Sequence, residues 1–312
     1  MYAPDFAYYR ADSVAEIGRL LRAHPGAKLL AGGHSLIPLL KLRLAAPTAL
    51  IDIGRVAELK GIAAADGRVR IGALTTHAEI AASADVARHA PALGAAAGVI
   101  GDPAVRNRGT IGGNVAHADP ASDLPTVLVA LRASLTVAGN DGERSIAAGD
   151  FFQGMMATAL GEHDVVTAID VPARPGGQGQ AYEKFSHPAS RYAVIGVAAA
   201  VERQGEAVGN VAVALGGLVP AAVRAGSVEQ ALSGQAPTAE AVAAAAAAVS
   251  SDLGDDLIGD IYASAEYRRA MAPVCVKRAL AAALRPASPS SSSTSSSEGS
   301  GSGSGGSWWP WS

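Results

Sequence analysis

Two glycine pairs stand out for what they could bind. The first lies in LLAGGHSLIP, Leu29 to Pro38, where Gly32 and Gly33 are followed by His34 and Ser35. The second lies in RNRGTIGGNVAHADPASD, Arg106 to Asp123, where Gly112 and Gly113 follow Thr110 and Ile111 and precede Asn114, Asp119 and Asp123. Adjacent glycines tolerate positive φ and admit a ligand where a Cβ would stand in the way. Turns of this kind present amides to anions. The second stretch has neither the alternation of a strand nor the long apolar stripe of a helix. Taken singly, each pair is ordinary turn punctuation. Taken together, with an Asn and two carboxylates just downstream, they point to a site for a ligand with two phosphates. Neither is a G-x-G-x-x-G or a G-x-x-x-x-G-K-[ST], so a Rossmann dinucleotide site and a P-loop are both poorly supported.

The flanking pattern supplies the elements that would hold these stretches. Ser13 and Glu16 form a capping box for a helix to about Arg22. Lys28–Ala31 reads as a short buried strand into the first glycine stretch, and Ser35 starts a helix through about Leu44. Strands are expected at Ala49–Ile53, Arg68–Ile71, Ser134–Val137 and Val165–Val171. Thr76 and Glu79 form a second capping box, Ala92–Ile100 reads as a helix into the second stretch, and Leu124–Leu131 as a helix out of it. The run ARPGGQGQ, Ala173 to Gln180, is a composition break. Beyond it, strands at Ala181–Phe185, Tyr192–Arg203 and Val208–Leu215, the last two joined around Gly205, precede helices at Val228–Leu232, Ala239–Val249 and Ala265–Leu284. Strands grouped before helices indicate a small α+β unit.

The 312 residues are enough for two domains, and the net charge of −3 gives no support to nucleic-acid binding. The single cysteine, Cys275, excludes an internal disulfide and a Cys-ligated Fe–S cluster on this chain. It reads as a buried small hydrophobe. The N-terminus lacks a signal-peptide pattern, and no run has the length of a membrane span, so a cytoplasmic location is expected. One His and one Asp, His117 and Asp119, fall short of a ligand set, and no metal site is expected. Asp119 before Pro120, and His187 before Pro188, read as turn residues. From Ser288 to Gly306 the chain is Ser and Gly, expected to be disordered, and it ends in WWPWS. That end is read as a linker or unstructured tail, with docking to a partner or membrane interface as the lesser alternative.

AGGHSLIPLLKLRLA and TIGGNVAHADPASDLP resemble the FAD-binding medium subunit of molybdenum hydroxylases, the xanthine dehydrogenase and carbon monoxide dehydrogenase family. The resemblance covers roughly residues 1–285 and is closest to the carbon monoxide dehydrogenase group. It implies an α+β fold: a two-part N-terminal FAD-binding domain of the vanillyl-alcohol-oxidase-like type (1–175), and a smaller C-terminal α+β domain with a three-stranded antiparallel sheet and helices (176–286). The tail is then 287–312. By this resemblance Lys28, Leu29, Leu30, Ala31, Gly32, Gly33, His34 and Ser35 form the first FAD loop, with Gly32 to Ser35 at the pyrophosphate. Thr110, Ile111, Gly112, Gly113 and Asn114 form the second, and Asp123 accepts from ribose or ribityl hydroxyls. Ile100 stands where some relatives place an aromatic against the flavin, and Val166 makes a backbone contact near the adenine end. Lys184 would stabilise reduced, anionic flavin, and Tyr192 would cover one flavin face. From spacing alone these two are a solvated strand lysine and a half-buried strand aromatic.

The function implied is an oxidoreductase subunit in a dimer of heterotrimers. Electrons would arrive from a [2Fe–2S] small subunit, itself supplied by a molybdopterin large subunit, and leave for a quinone, NAD or oxygen. The lone cysteine suits that division, since the clusters must reside on another chain. Membrane contact would involve only the Trp-containing tail or a quinone pathway. Two alternatives stand beside it: a self-sufficient FAD oxidoreductase of the same cofactor fold, and a flavin-free structural subunit.

Overall fold

The computed structural model describes residues 2–285; the Ser/Gly run and its tryptophans lie outside the described residues. The chain opens with a parallel three-stranded sheet in which β1 (Ala7–Arg10) and β2 (Lys28–Leu30) flank β3 (Ala49–Asp52). Helix α1 (Val14–Ala23) crosses from β1 to β2 and buries Ile17, Leu20 and Leu21, the i, i+3, i+4 stripe of an amphipathic helix. Ser13 caps it, accepting from the Glu16 amide, but Glu16 returns its bond to the amide of Asp12 rather than Ser13. The expected buried strand before the first glycine pair is an edge strand, with Lys28 exposed and Leu29 and Leu30 half-buried. Helix α2 (Leu36–Lys41) stops short of the expected Leu44, because Arg43 turns left-handed at φ 59° and the Leu44 amide folds back to Leu39 O at 2.9 Å.

A second, antiparallel sheet follows. Strands β4 (Ile62–Ala65), β5 (Arg68–Gly72), β6 (Ser134–Gly139), β7 (Gly142–Ala147) and, after the small hairpin β8 (Phe152–Gly154) and β9 (Ala157–Thr158), β10 (Val165–Pro172) lie in the order β4-β5-β10-β6-β7. Sequence patterning misses the two edge strands: the side chains of β4 and β7 are mostly exposed, so neither shows apolar alternation. Helices α3 (His77–Ala82), α4 (Ala84–His89), α5 (Pro91–Gly98), α6 (Pro103–Arg106), α7 (Ile111–His117), α8 (Asp123–Ala130) and α9 (Ala148–Phe151) pack beside it. The capping box at Thr76 and Glu79 is present in both directions.

The second glycine stretch is a helix, not the irregular loop expected. Thr110 is the N-cap of α7, its hydroxyl accepting from the Gly113 amide at 3.2 Å, and Ala118 ends the helix at φ 50°. A cap compensates for glycines in the first turn, whose intrinsic helix propensity is poor.

The C-terminal part is a four-stranded antiparallel sheet, β11 (Gln178–Ser186), β12 (Ala193–Gln204), β13 (Ala207–Gly216) and the short β14 (Val223–Arg224), with α10 (Gly226–Leu232), α11 (Ala239–Ala247) and α12 (Ala265–Ala283). The two-residue β14 extends the three strands expected. Period-two alternation gives β12 and β13 two distinct faces. Val197, Val201, Val211 and Val213 join the core under the helices, whereas Ala198, Ala200, Ala212 and Ala214 join the core of the N-terminal domain. The alanine face lets α8 come close. A Cβ on Gly216 would lie 2.0 Å from Thr126 Oγ1. Cys275 is buried in the helix-side core, and burial pushes its thiol up to about 11, which leaves it unreactive at neutral pH.

Candidate functional site

The two glycine stretches meet. A Cβ on Gly32 would stand 2.1 Å from Arg108 O and 3.0 Å from the Cα of Gly109. A Cβ on Gly109 would in turn strike the His77 ring at 2.8 Å. The backbones of the two stretches are therefore layered directly on each other, with His77 of α3 beneath. His34 adds a side-chain tie, its Nε2 3.2 Å from Ala104 O on α6.

Their amides are in opposite states. In the second stretch Ile111 donates to Thr75 O at 3.0 Å, Gly112 to Ala73 O at 2.8 Å, Gly113 to Thr110 Oγ1 and Asn114 to Thr110 O at 3.0 Å. These amides hold α7 against the strand end after β5, so the expectation of exposed amides fails there. Gly112 lacks a side chain because Ala73 occupies the space: a Cβ would be 2.5 Å from the Ala73 Cβ. In the first stretch the amides of Gly32, Gly33, His34 and Ser35 donate to no acceptor among the described residues. Gly33 among them sits at φ 76°, in the left-handed region that allows successive amides to face one anion. Helix α2 is six residues long and Ser35 makes no capping bond, so backbone amides, rather than a helix dipole, are what this end offers an anion.

Asp123 and Lys184 face each other. Asp123, at the start of α8, is 4 % exposed. One of its oxygens accepts from Lys184 Nζ at 2.9 Å and the other from Tyr182 Oη at 2.6 Å; Nζ also donates to Val99 O at 3.2 Å. The lysine read as a free positive charge is thus matched by a carboxylate, and the carboxylate read as a hydroxyl acceptor already has two donors. Burial pushes the Asp123 carboxyl up, opposed by the Lys184 charge, and burial pushes the Tyr182 phenol well above its usual range. Tyr182 was not anticipated. Strand alternation puts it on the same face of β11 as Lys184, and Gly196, which pairs with Lys184 on β12, leaves room for its phenol, since a Cβ there would lie 2.6 Å from Tyr182 Oη.

The other expected residues fall around this centre. Asn114 Nδ2 donates to Ser122 Oγ at 3.1 Å, while its Oδ1 is buried without a partner. Ile100 is half-buried and its carbonyl accepts from Arg106. Val166 is buried and pairs with Val137 on β6, while the β5 ladder begins only at Ala168. Tyr192 is not in a strand but one residue before β12. It is 44 % exposed and borders a cavity of about 290 Å3 with Asp119, Met155, Met156, His187 and Arg268. Burial, then Asp119 and Asp123, raise its phenol. Asp119 and His187 are turn residues: Asp119 accepts from the Ala121 amide, and His187 Nδ1 from Ala189 and Ser190.

His77 carries a pH dependence. Burial, and then His34, pull its imidazole down to about 4 from an ordinary 6.5. The unfolded chain binds the proton first, so this group's stabilisation is complete above pH 6.5 and is lost as pH falls towards 4. The depression corresponds to about 3 kcal/mol. Urea unfolding from pH 7 to 4 should show that loss, and His77→Gln should flatten it; an unchanged slope would remove His77 as the cause.

Residues 4–174 match the family model described as the FAD binding domain in molybdopterin dehydrogenase, and residues 180–283 the CO dehydrogenase flavoprotein C-terminal domain. The chain belongs to the FAD-binding medium subunits of the molybdenum hydroxylases. Among these subunits it is 43 % identical to the carbon monoxide dehydrogenase medium chain of Hydrogenophaga pseudoflava, over 91 % of this chain and 98 % of that one. It is 38 % identical to the glyceraldehyde dehydrogenase medium chain of Sulfolobus acidocaldarius, over 89 % and 98 %. The solved Hydrogenophaga pseudoflava carbon monoxide dehydrogenase, lacking the Mo-pyranopterin moiety of its molybdenum cofactor, superposes with a TM-score of 0.87 over 91 % of this chain and 98 % of that one. Quinoline 2-oxidoreductase from Pseudomonas putida 86 gives 0.85 at 31 % identity, over 91 % and 98 %. Membership makes this an oxidoreductase subunit with the two-domain α+β fold expected, and FAD its cofactor. No helix among the described residues is long and apolar enough to cross a membrane.

Proposed function

We propose that this medium subunit holds FAD and passes electrons from a [2Fe–2S] partner subunit to an external acceptor: a quinone, NAD or oxygen. Substrate oxidation would take place at a molybdenum cofactor on a third subunit, within a dimer of heterotrimers. The observation that carries the cofactor assignment is the run of undonated amides from Gly32 to Ser35, backed at Gly32 by the main chain of Arg108 and Gly109. A dinucleotide diphosphate supplies the acceptors that this run lacks. Lys28–Ala31 would lead the chain into that run. Thr110–Asn114 would form the opposite wall, with the orphaned Asn114 Oδ1 free to accept from the ligand. Ile100, Val166 and Asp123 would line the rest, Asp123 having lone pairs beyond those taken by Tyr182 and Lys184. Tyr192 would cover the ring. With the division at 1–175 and 176–286, the cofactor would lie between the two domains.

Bound flavin supplies the redox chemistry, and this chain positions it and excludes water. Purified chain with added FAD should show flavin bands near about 370 and 450 nm and retain them through gel filtration. A colourless chain that takes up no FAD would overturn the reading. The partner assignment rests on kinship with medium chains of larger enzymes, and co-purification with an Fe–S subunit tests it.

A further inference from the structure

Arg268 lies on α12, 3 % exposed. Its Nε donates to Ala263 O at 3.2 Å, Nη1 to Val194 O at 3.1 Å and Gly217 O at 2.8 Å, and Nη2 to Asp260 Oδ2 at 2.5 Å. Val194 is at the start of β12 and Gly217 just past the end of β13. At the same two strand ends the amides point the other way. Ala193 donates to Ala121 O at 3.1 Å and Gly217 to Pro120 O at 2.9 Å. Those carbonyls belong to the turn between α7 and α8, which carry Asn114 and Asp123. One guanidinium thus fastens two strand ends that in turn grip the N-terminal domain beside the cavity. Tyr192 is the residue immediately before this junction, its carbonyl accepting from the His187 amide at 2.8 Å.

We propose that Arg268 is a positioning residue: it sets the backbone that presents Tyr192 to the cofactor ring. The inference rests on the reading above, that FAD binds here with Tyr192 over the ring. The planar fork is essential, because its donors must reach three carbonyls and a carboxylate at once, which a lysine ammonium cannot do. Gly217, at φ 85°, belongs to the same device: a Cβ there would lie 2.7 Å from Ala193 O.

The test uses the full chain loaded with FAD and reads the fluorescence of bound flavin, which a stacked phenol quenches. Tyr192→Leu should raise fluorescence about threefold, and Arg268→Met nearly as much at unchanged FAD stoichiometry, because loss of a supporting contact displaces the group it supports. The double variant should match Tyr192→Leu alone, the non-additivity of residues acting through one another. Arg268→Lys should resemble Arg268→Met. If Tyr192→Leu brightens the flavin and Arg268→Met does not, the positioning role is overturned; an additive double variant overturns it as well. If Tyr192→Leu itself changes nothing, the placement of Tyr192 fails and the proposal with it. Should Arg268→Met prove insoluble, Asp260→Ala removes the acceptor at the outer end of the guanidinium, and a smaller rise is expected. No rise in that variant overturns the proposal.

Discussion

Gly32→Ala is expected to yield a folded protein that no longer retains FAD. The added methyl would sit 2.1 Å from Arg108 O and 2.8 Å from Arg108 C. Both are main-chain atoms, so no side-chain rotation relieves the overlap, and the two stretches must part. Overpacking of this kind costs about 1–3 kcal/mol. That is affordable for a chain of this size but ruinous for a cradle whose amides must converge on one diphosphate. FAD affinity should fall at least tenfold, about 1.4 kcal/mol or more. Gly149→Ala is the control, since nothing lies within 4 Å of a Cβ there. Equilibrium dialysis decides it: a variant binding FAD as tightly as the parent would show that the junction is not the cofactor's seat. Gly112→Ala makes a different point. Its methyl meets Ala73, so it should lower Tm, with any effect on FAD following from that loss.

The contrast between these glycines shows where reading the chain alone stops. Both pairs are legible as places where a Cβ is not tolerated. What excludes the Cβ is tertiary: Arg108 O for Gly32, Ala73 for Gly112. Hence the sequence of α7 reads as a loop with available amides. The helices of the C-terminal domain and the box at Thr76 were legible because capping and periodicity are local. Edge strands β4 and β7 were not, because their exposed side chains carry no alternation. Nothing local makes Asp123 and Lys184 partners, since 61 residues separate them. Tyr182 was within reach, two residues before Lys184 on the same strand face.

Lys184→Met is expected to destabilise the protein by about 3–5 kcal/mol, the cost of leaving a buried charge without its partner. The side chains of Lys184 and Asp123 are 6 % and 5 % exposed, so water cannot replace the lost ammonium. Removing it also takes away the main influence opposing burial on the Asp123 carboxyl, which should then rise further. The double variant Lys184→Met with Asp123→Asn should recover most of the loss, because no unpaired charge remains. Urea unfolding of the four proteins measures the coupling. Additive effects would mean that the pair does not act as a unit. Tyr182→Phe should cost less, about 1–3 kcal/mol, since one hydrogen bond to a charged group is lost.

The alanine face of β12 and β13 has a consequence for synthesis on the ribosome. Strand β11 carries Tyr182 and Lys184, and β12 and β13 carry Ala198, Ala200, Ala212 and Ala214, all of which complete the core or the polar centre of the domain made before them. When the first 175 residues have emerged, Asp123 has neither of its donors and α8 has no sheet to lie on. The nascent N-terminal half therefore waits, with an apolar helix face and a carboxylate uncovered, until the β12–β13 hairpin follows it out. Translation at about 5–20 residues per second makes that an interval of seconds, in which chaperone binding competes with folding.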